Sequence, residues 1–224
     1  MSWKTAHRSF YYQNAPAPED PVLIPQETAL LCIDVQNYGM ELHDDPDERA
    51  RWAPFHARMQ GTVIPTLRGL QERFRANGID VIHARIACLL DNGRDRSLSQ
   101  KLPGWNNLLM PLSSDASQII PELAPARGEI VVTKTTDSAL TGTNLRLILQ
   151  NMGIRTLVVT GIYTDQCVSS TVRSLADESF RVILVEDCCA AGTDELHRQE
   201  LAIINMIYCH VMTSAELIDL MQLS

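Results

Sequence analysis

The stretch TALLCIDV, residues 28–35, is a nearly continuous apolar run that carries a carboxylate, Asp34, near its end. A short apolar run without polar alternation is typical of a strand that is covered on both faces, as in a parallel sheet. Comparable runs follow at residues 79–86 (IDVIHARI), 129–133 (EIVVT), 155–161 (RTLVVTG), 180–187 (FRVILVED) and 209–213 (CHVMT). The sequence therefore predicts six buried strands.

Longer segments with helical spacing of apolar residues separate these runs. They cover residues 47–77, 143–153, 164–177, 194–207 and 214–222. Strand–helix alternation predicts an α/β fold, a single-domain doubly wound parallel sheet of about six strands with helices on both faces. A chain of 224 residues that is 45% hydrophobic buries one sizeable core, so we expect an N-terminal arm (1–27) and one domain (28–224).

The composition limits the classes of function. The formal net charge is -8, and no basic stripe with interleaved aromatics occurs, so we expect no nucleic-acid partner. No apolar run approaches the ~20 residues that span a bilayer, and the polar N-terminus lacks the apolar core of a secretory signal. We therefore expect a cytoplasmic protein without a membrane partner, whose six cysteines stay reduced.

Reactive side chains follow three of the predicted strands. Asp34 ends the first, Lys134 follows the third, and Cys167 lies in the turn after the fourth. Ligands of doubly wound sheets bind at the carboxyl ends of the strands, so we expect the three side chains to meet. A thiol at a helix N-terminus beside an ammonium is stabilised as thiolate, and a carboxylate can accept its proton and return it to a leaving amine. Backbone N–H groups near Tyr163 and Cys167 are the expected oxyanion hole.

Each of these three residues has an ordinary alternative. Asp34 would be a helix N-cap or surface carboxylate, Lys134 a loop lysine, and Cys167 a buried thiol in a first helical turn. Their joint placement at one sheet edge favours catalysis over any of the three. A non-enzymatic nucleotide-binding module is the alternative of another class, but neither G-x-G-x-x-G nor G-x-x-x-x-G-K-[ST] occurs.

Two segments supply the expected substrate-binding residues. Gln36, Asn37 and Tyr38 follow Asp34 and leave the first strand at the edge of the site. The long irregular segment 87–114 is expected to cover the substrate, because loops of this length are usually functional or mobile. The alternative is a solvated surface excursion.

Three residues of that segment are candidates for contact with substrate. Arg94 offers a planar donor group for a carbonyl or carboxylate, and Trp105 and Asn106 lie further along. The alternatives are a surface ion pair of Arg94 with Asp91 or Asp95, and a Trp105 that anchors the loop itself.

The motifs around the three reactive residues resemble the isochorismatase-like cysteine hydrolase superfamily. They are ALLCIDVQN (29–37), KTTDSALTGTNL (134–145), LVVTGIYTDQCVSSTVRSLAD (157–177) and LVEDCCAAGTDELH (184–197). The resemblance runs from about Thr28 to Leu220, and G-x-x-T-D-x-C-V is its most specific element. It implies that Asp34 is the general base and acid, Lys134 the helper cation and Cys167 the nucleophile. It also implies a cis peptide between Ile162 and Tyr163, and a homo-oligomer, either dimer or tetramer.

Two departures narrow the activity within the superfamily. Its nicotinamidases carry a metal-binding D-x-H-x-x-H run, whereas His43, His56 and His83 are scattered here, so we expect no metal and no cofactor. Its siderophore-pathway isochorismatases lack a cysteine at position 167. We therefore predict a cysteine-dependent amidohydrolase that cleaves a C–N bond of a small ureide or carbamoyl amide (biuret/triuret or ureidoacrylate type) through an acyl-enzyme. The alternative substrate is an N-carbamoyl amino acid or simple amide.

Overall fold

The computed structural model describes residues 2–221 of the chain. Its strands are β1 (Thr28–Ile33), β2 (Asp80–Ile86), β3 (Lys101–Leu102), β4 (Asn106–Asn107), β5 (Ile130–Lys134), β6 (Thr156–Ile162), β7 (Arg181–Ala190) and β8 (His210–Met212). Six of them form one sheet in the order β5-β2-β1-β6-β7-β8, with every neighbouring pair parallel. β3 and β4 form a small antiparallel hairpin. The predicted α/β fold with a six-stranded parallel sheet is confirmed.

The helices are α1 (Asn37–Met40), α2 (Pro46–Arg58), α3 (Ile64–Ala76), α4 (Leu145–Asn151), α5 (Ser169–Asp177), α6 (Asp194–Ile204) and α7 (Ser214–Met221). The helix predicted over 47–77 is two helices joined by a π-helical turn, Met59–Val63, and a similar turn, Thr164–Val168, precedes α5. The last residue of the final predicted helix, Gln222, lies outside the described residues. None of the helices within residues 2–221 has the length and apolar character of a membrane span.

Local signals in the sequence set the ends of the α2–α3 unit. The Asp45 carboxylate accepts the N–H groups of Asp47 and Glu48, and Pro46 occupies the first position, where no N–H is needed. At the other end Gly78 adopts φ +67°, a conformation that glycine takes without steric cost. These two features explain why the helical segment begins and stops where it does.

β1 is the central strand, and all six of its residues are buried. Leu30 and Cys32 point into a core that is completed by α2, α3 and α7. Leu31 and Ile33 point into a second core that is completed by α4, α5 and α6. Two covered faces explain the unbroken apolar run, because every position of the strand packs against a helix layer.

The chain reverses its direction across the sheet at β1. It proceeds from β1 to β2 and β5 on one side, then crosses to β6, β7 and β8 on the other side. The carboxyl ends of β1 and β6 therefore flank the switch point at which ligands of such sheets bind. Gly161 lies here with φ +118°, and a Cβ at this position would sit 2.0 Å from the carbonyl oxygen of Ile33.

The segment before β1 packs against the body of the domain. The Trp3 side chain is 6% exposed, its ring lies 5.1 Å from that of His210, and its backbone N–H donates to the Glu216 carboxylate at 2.8 Å. His7 lies 3.1 Å from Glu186, in the middle of β7. The division into an arm (1–27) and a domain (28–224) stays a prediction.

Candidate active site

Asp34 follows β1 in a left-handed backbone conformation, with φ +54°. Aspartate is among the few residues other than glycine that tolerate this conformation, and it ends the strand at Ile33 instead of the predicted Val35. The Asp34 backbone N–H donates to the carbonyl of Ala84 at 2.9 Å, and this hydrogen bond holds Asp34 against the neighbouring strand β2. The side chain is 7% exposed, so the carboxyl group lies almost entirely within the protein.

Lys134 is the last residue of β5 and is fully buried. Its Nζ lies 2.6 Å from Asp34 Oδ2 and 3.3 Å from Cys167 Sγ, and it also donates to the Thr136 carbonyl at 3.2 Å. β2 lies between β5 and β1 in the sheet. The Lys134 ammonium reaches Asp34 across β2 because the lysine side chain is long. The ammonium stands between the acid and the thiol.

Cys167 lies in the π-helical turn before α5 and is 8% exposed. Its Sγ is in contact with Lys134 and lies 3.9 Å from Oδ1 of Asp137. The structure thus brings together the side chains that follow β1, β5 and β6.

Burial controls the protonation of this cluster. It raises the pKa of the Asp34 carboxyl, against the opposing effect of Lys134. Burial acts to lower the pKa of Lys134, but Asp34 and Cys167 together raise it. Burial and the Asp34 carboxylate raise the pKa of the Cys167 thiol well above its usual range, although Lys134 lowers it. Desolvation and the adjacent carboxylate thus oppose the thiolate that the helix N-terminus and the ammonium are expected to stabilise.

The Asp34 carboxyl is incompletely hydrogen-bonded. Its Oδ1 is buried and has no hydrogen-bond partner among residues 2–221. Buried polar atoms are nearly always paired in native proteins, and the exceptions call for an explanation. Cys167 and Tyr163 line the same cavity as Asp34, so the Asp34 carboxyl lies beside the space that a bound molecule would occupy.

The turn that holds Cys167 is tied to two distant helices. The peptide bond between Ile162 and Tyr163 is cis, as the resemblance implies. Arg58 Nη2 lies 2.9 Å from His197 Nε2, and His197 Nδ1 lies 2.8 Å from the Thr164 hydroxyl. Because arginine can only donate, Nε2 accepts, and Nδ1 carries the proton that it donates to Thr164. No sequence pattern indicated this network, since its members are up to 139 positions apart.

A cavity of about 670 Å³ opens in front of Cys167. Four of the predicted substrate-binding residues line it: Gln36, Tyr38, Trp105 and Asn106. The Gln36 side chain is held by backbone groups, since its amide bonds both the N–H and the C=O of Ile86 and the carbonyl of Ser117. Trp105 is 77% exposed at the rim, so it does not anchor its own loop by burial.

Two of the predicted binding residues lie outside the cavity wall. The Asn37 amide donates to the backbone carbonyl and the carboxylate of Asp115, which turns it away from the site. Arg94 is exposed in a turn, where its N–H donates to the Asn92 side chain and its carbonyl accepts from Lys101. Within residues 2–221 Arg94 makes no ion pair, so its expected pairing with Asp91 or Asp95 is also absent.

Several residues that the sequence analysis missed line the cavity, namely Gly39, Ile86, Gln100, Leu108, Met110, Asp137, Ile162, Asp165, Gln166, Ser169, Ser170 and Arg173. Asp137 had a usable signal, because it stands three residues after Lys134 at the same sheet edge. Gln100 had none, since a helical turn distant in sequence brings it in, whereas Arg173 lies six residues after Cys167 on the predicted helix.

The scattered histidines have other partners. His43 stacks on Trp52 with ring centroids 5.8 Å apart, and His83 lies 3.2 Å from Glu129. Among residues 2–221, no three His, Cys, Asp or Glu side chains are grouped so that they could hold a metal ion.

Comparison with known proteins identifies the family. A family model described as Isochorismatase domain matches residues 28–216. N-carbamoylsarcosine amidase from an Arthrobacter species is 35% identical over 136 residues, which cover 58% of this chain and 50% of that protein. Ureidoacrylate amidohydrolase RutB from Pseudomonas savastanoi pv. phaseolicola is 31% identical over 209 residues, which cover 84% of this chain and 80% of that protein.

Solved structures agree with this result. An isochorismatase family protein from Burkholderia thailandensis has a TM-score of 0.74 at 26% identity, covering 91% of this chain and 100% of that one. One from Desulfovibrio vulgaris has a TM-score of 0.72 at 26% identity, covering 88% and 98%. The resemblance seen in the motifs is confirmed. Because the family model spans most of the chain and the sheet and helices match those of solved members, the chain belongs to the isochorismatase family of hydrolases.

Proposed function

We propose that the chain is a cysteine-dependent amidohydrolase that cleaves a C–N bond of a small ureide or carbamoyl amide through a covalent intermediate on Cys167. The observation that carries this proposal is the Lys134 ammonium, which stands 2.6 Å from the Asp34 carboxyl and 3.3 Å from the Cys167 sulfur beside an open cavity. A nucleophile, a proton acceptor and a cation within contact distance are the groups that acyl transfer requires.

The relatives support the reaction class. Both are amidohydrolases, enzymes that act on C–N bonds other than peptide bonds, and the chain is a hydrolase of this kind. Ureidoacrylate and N-carbamoylsarcosine both contain an H₂N–CO–N unit, which biuret and triuret share. This common unit is why we propose a ureide or carbamoyl amide for this chain.

The first half of the reaction forms the covalent intermediate. Asp34 accepts the thiol proton as Cys167 Sγ bonds to the substrate carbonyl carbon, and the carbonyl π electrons move to oxygen. The resulting oxyanion is held by the backbone N–H groups of Tyr163 and Cys167. When it collapses, the C–N bond breaks and Asp34 returns the proton to the leaving nitrogen, so a thioester or thiocarbamate remains on Cys167.

The second half regenerates the enzyme. Asp34 takes a proton from water as the water oxygen attacks the acyl carbon, and the C–S bond then breaks. Lys134 stabilises the thiolate as it leaves, until the proton on Asp34 returns to sulfur. The raised pKa of Asp34 helps it to take up a proton, and the raised pKa of Cys167 favours the return of the proton to sulfur at the end of the cycle.

The test is mass spectrometry of enzyme quenched during turnover of a slow ureide. We expect an acyl adduct that maps to the peptide containing Cys167 and disappears when substrate is exhausted. Turnover without any adduct, together with loss of activity on treatment with a metal chelator, would mean that water attacks directly and the proposal is wrong.

The Arthrobacter relative favours a second candidate, an N-carbamoyl amino acid or a simple amide. Ammonia release from biuret, triuret, ureidoacrylate and carbamoylsarcosine separates the two candidates. We also propose that the enzyme is cytoplasmic and forms a homo-oligomer. Light scattering of the purified protein measures its oligomeric state.

A further inference from the structure

The cavity wall carries unbalanced negative charge. Among residues 2–221, Arg173 is the single lysine or arginine that lines it, whereas Asp34, Asp137 and Asp165 all do. An adjoining cavity of about 570 Å³ shares Tyr38 and Asn106 with it and is lined by Glu41, Asp44 and two histidines, but by no lysine or arginine among residues 2–221. Lys134 balances Asp34, so a negatively charged molecule would meet acidic side chains without a cation partner mainly at Asp137, Glu41 and Asp44.

Arg173 is already engaged. Its Nη2 lies 2.8 Å from the Glu200 carboxylate, its Nη1 donates to the Ser169 hydroxyl, and its guanidinium lies 5.3 Å from the Tyr208 ring centroid. Glu200 also accepts from the Ser169 hydroxyl at 2.6 Å. The charge of this arginine is therefore balanced by a mostly buried glutamate, and a substrate carboxylate that took the place of Glu200 would leave the glutamate charge unpaired.

Asp137 is the carboxylate best placed to contact substrate. Its Oδ1 lies 3.9 Å from Cys167 Sγ and accepts from the Gln100 side chain at 3.3 Å, and within residues 2–221 no cation lies within ion-pair distance of it. Asp165 has a buried Oδ1 without a partner, but burial raises the pKa of its carboxyl. The charge argument therefore rests on Asp137.

Two carboxyl groups thus adjoin the sulfur, Asp34 through Lys134 and Asp137 directly. A reacting carbonyl carbon sits about 3–3.5 Å from its nucleophile, so the atoms bonded to that carbon come within reach of both carboxyls. In a ureide both of those atoms are nitrogens that carry hydrogen, whereas a simple amide has carbon on one side. The two carboxyl groups beside the Cys167 sulfur can therefore each accept a hydrogen bond from one of the two N–H groups that flank a ureide carbonyl.

We propose that the cavity selects an uncharged ureide, whose leaving nitrogen faces Asp34 and whose other N–H donates to Asp137, and that it disfavours substrates with a distal carboxylate. This inference rests on the proposed amidohydrolase function and narrows its substrate class. It separates the chain from relatives named for ureidoacrylate and N-carbamoylsarcosine, since both of those molecules are carboxylates.

The experiment compares two ureides that differ in one group, N-carbamoylglycine and its N-methylamide. Calorimetry measures their binding to the full-length Cys167→Ser protein at low salt, where neither is consumed. We expect the neutral methylamide to bind about tenfold more tightly than the carboxylate, because a like charge is confined beside Asp137. A third compound with CH₂ in place of the ureide N–H, the N-methylamide of succinamic acid, should bind more weakly than the methylamide.

Second variants identify the residue responsible. In Cys167→Ser/Asp137→Asn the preference for the neutral ureide should shrink to less than about threefold. Cys167→Ser/Glu122→Gln makes the same change of net charge at an exposed position outside the cavity and should keep the full preference. An equal or stronger affinity for the carboxylate, an unchanged preference in the Asp137 variant, or no binding of either ureide would overturn the inference.

The proposed function is measured separately, by ammonia release and the Cys167 adduct in the unmodified enzyme. Turnover with a preference for carboxylates would overturn this inference and leave the amidohydrolase proposal intact. Absence of turnover with every ureide would overturn the proposed function as well.

Discussion

The two ends of the sheet each hold a cluster of ionisable side chains, and the two clusters differ in hydrogen bonding and in burial. Near the amino ends of the strands, both carboxylate oxygens of Glu129 are bound, by Arg75 at 2.7 and 3.0 Å and by His83 at 3.2 Å. At the carboxyl ends, Lys134 pairs with Asp34, but Asp34 Oδ1 has no partner among the described residues. Burial also differs, since the Arg75 and Glu129 side chains are 30% and 12% exposed, whereas those of Lys134 and Asp34 are 0% and 7% exposed.

The direction of the carboxyl pKa follows this difference. Burial acts to raise the pKa of Glu129, but its bonds with Arg75 and the Ala126 N–H lower it below its ordinary value of 4.5. Burial raises the pKa of Asp34 despite Lys134. A carboxylate whose two oxygens are both hydrogen-bonded stays ionised and stabilises the fold, whereas a carboxylate with an unpaired oxygen can exchange a proton.

Cys167→Ser should give the largest effect, at the carboxyl-end cluster. A buried hydroxyl is far less acidic than a thiol, so turnover should fall on the order of a thousandfold or more while ureide binding persists. Steady-state ammonia release measures the loss. Cys88→Ser removes another buried thiol, one that does not line the cavity, and should keep most of the activity. Near-normal turnover in Cys167→Ser would exclude this residue as the nucleophile.

Asp34→Asn keeps the shape of the side chain and removes the proton acceptor. We expect kcat to fall about 10²–10⁴-fold, the usual contribution of a positioned acid–base group. The corresponding amide variant at the other cluster, Glu129→Gln, should leave kcat within about twofold of the unmodified enzyme. If the two variants lose activity equally, the number of hydrogen bonds that a carboxylate makes does not distinguish the catalytic cluster from the structural one.

His197 predicts a pH dependence of stability near the active site. Burial, with Arg58 adjacent, lowers its pKa from 6.5 to about 4. The unfolded chain therefore binds the proton first as pH falls, so stability is complete above pH 6.5 and is lost progressively between 6.5 and about 4. The loss should reach about 3 kcal/mol from this group.

Urea unfolding of His197→Gln against unmodified protein checks this prediction. The variant cannot titrate, so its unfolding free energy should vary less with pH in that window. His43→Gln replaces an exposed histidine and should keep the original profile. An identical profile in His197→Gln would show that the Arg58–His197–Thr164 network is not what responds to pH.

Glu129→Gln should show the smallest effect and act on stability alone. It leaves Arg75 and His83 with a weaker partner, so the unfolding free energy should fall by about 1–3 kcal/mol at pH 7. Because the folded pKa of Glu129 is depressed, this contribution is present above pH 4.5 and is lost as pH falls below it. Urea unfolding at pH 7 and pH 3.5 tests the difference, with Glu122→Gln as the exposed control.

The sequence was sufficient for the sheet and for the meeting of three reactive side chains. Apolar runs mark buried parallel strands, and the carboxyl ends of such strands share one edge, so Asp34, Lys134 and Cys167 could be placed without coordinates. The end of β1 was missed by two residues because the left-handed backbone of Asp34 leaves no mark in an apolar pattern.

What depends on three-dimensional surroundings was not accessible in this way. The ammonium was expected to stabilise the thiolate, but burial of the Cys167 sulfur opposes this effect, and the degree of burial is known only when the packing is known. Asn37 and Arg94 were expected in the cavity, but hydrogen bonds to Asp115 and within the turn of Arg94 hold them elsewhere. The Arg58–His197 pair joins two helices whose contact no local pattern encodes.

The contact at Gly161 constrains how this sequence can diversify. Any side chain there would displace the Ile33 carbonyl and with it the backbone that carries Asp34, so a saturation library screened for turnover should return glycine alone. Gly78 also has a positive φ, but a Cβ there meets nothing within 4 Å, and asparagine should be recovered at that position. Both glycines have a positive φ, but substitution is expected to be tolerated at Gly78 and to be excluded at Gly161 by the Ile33 carbonyl.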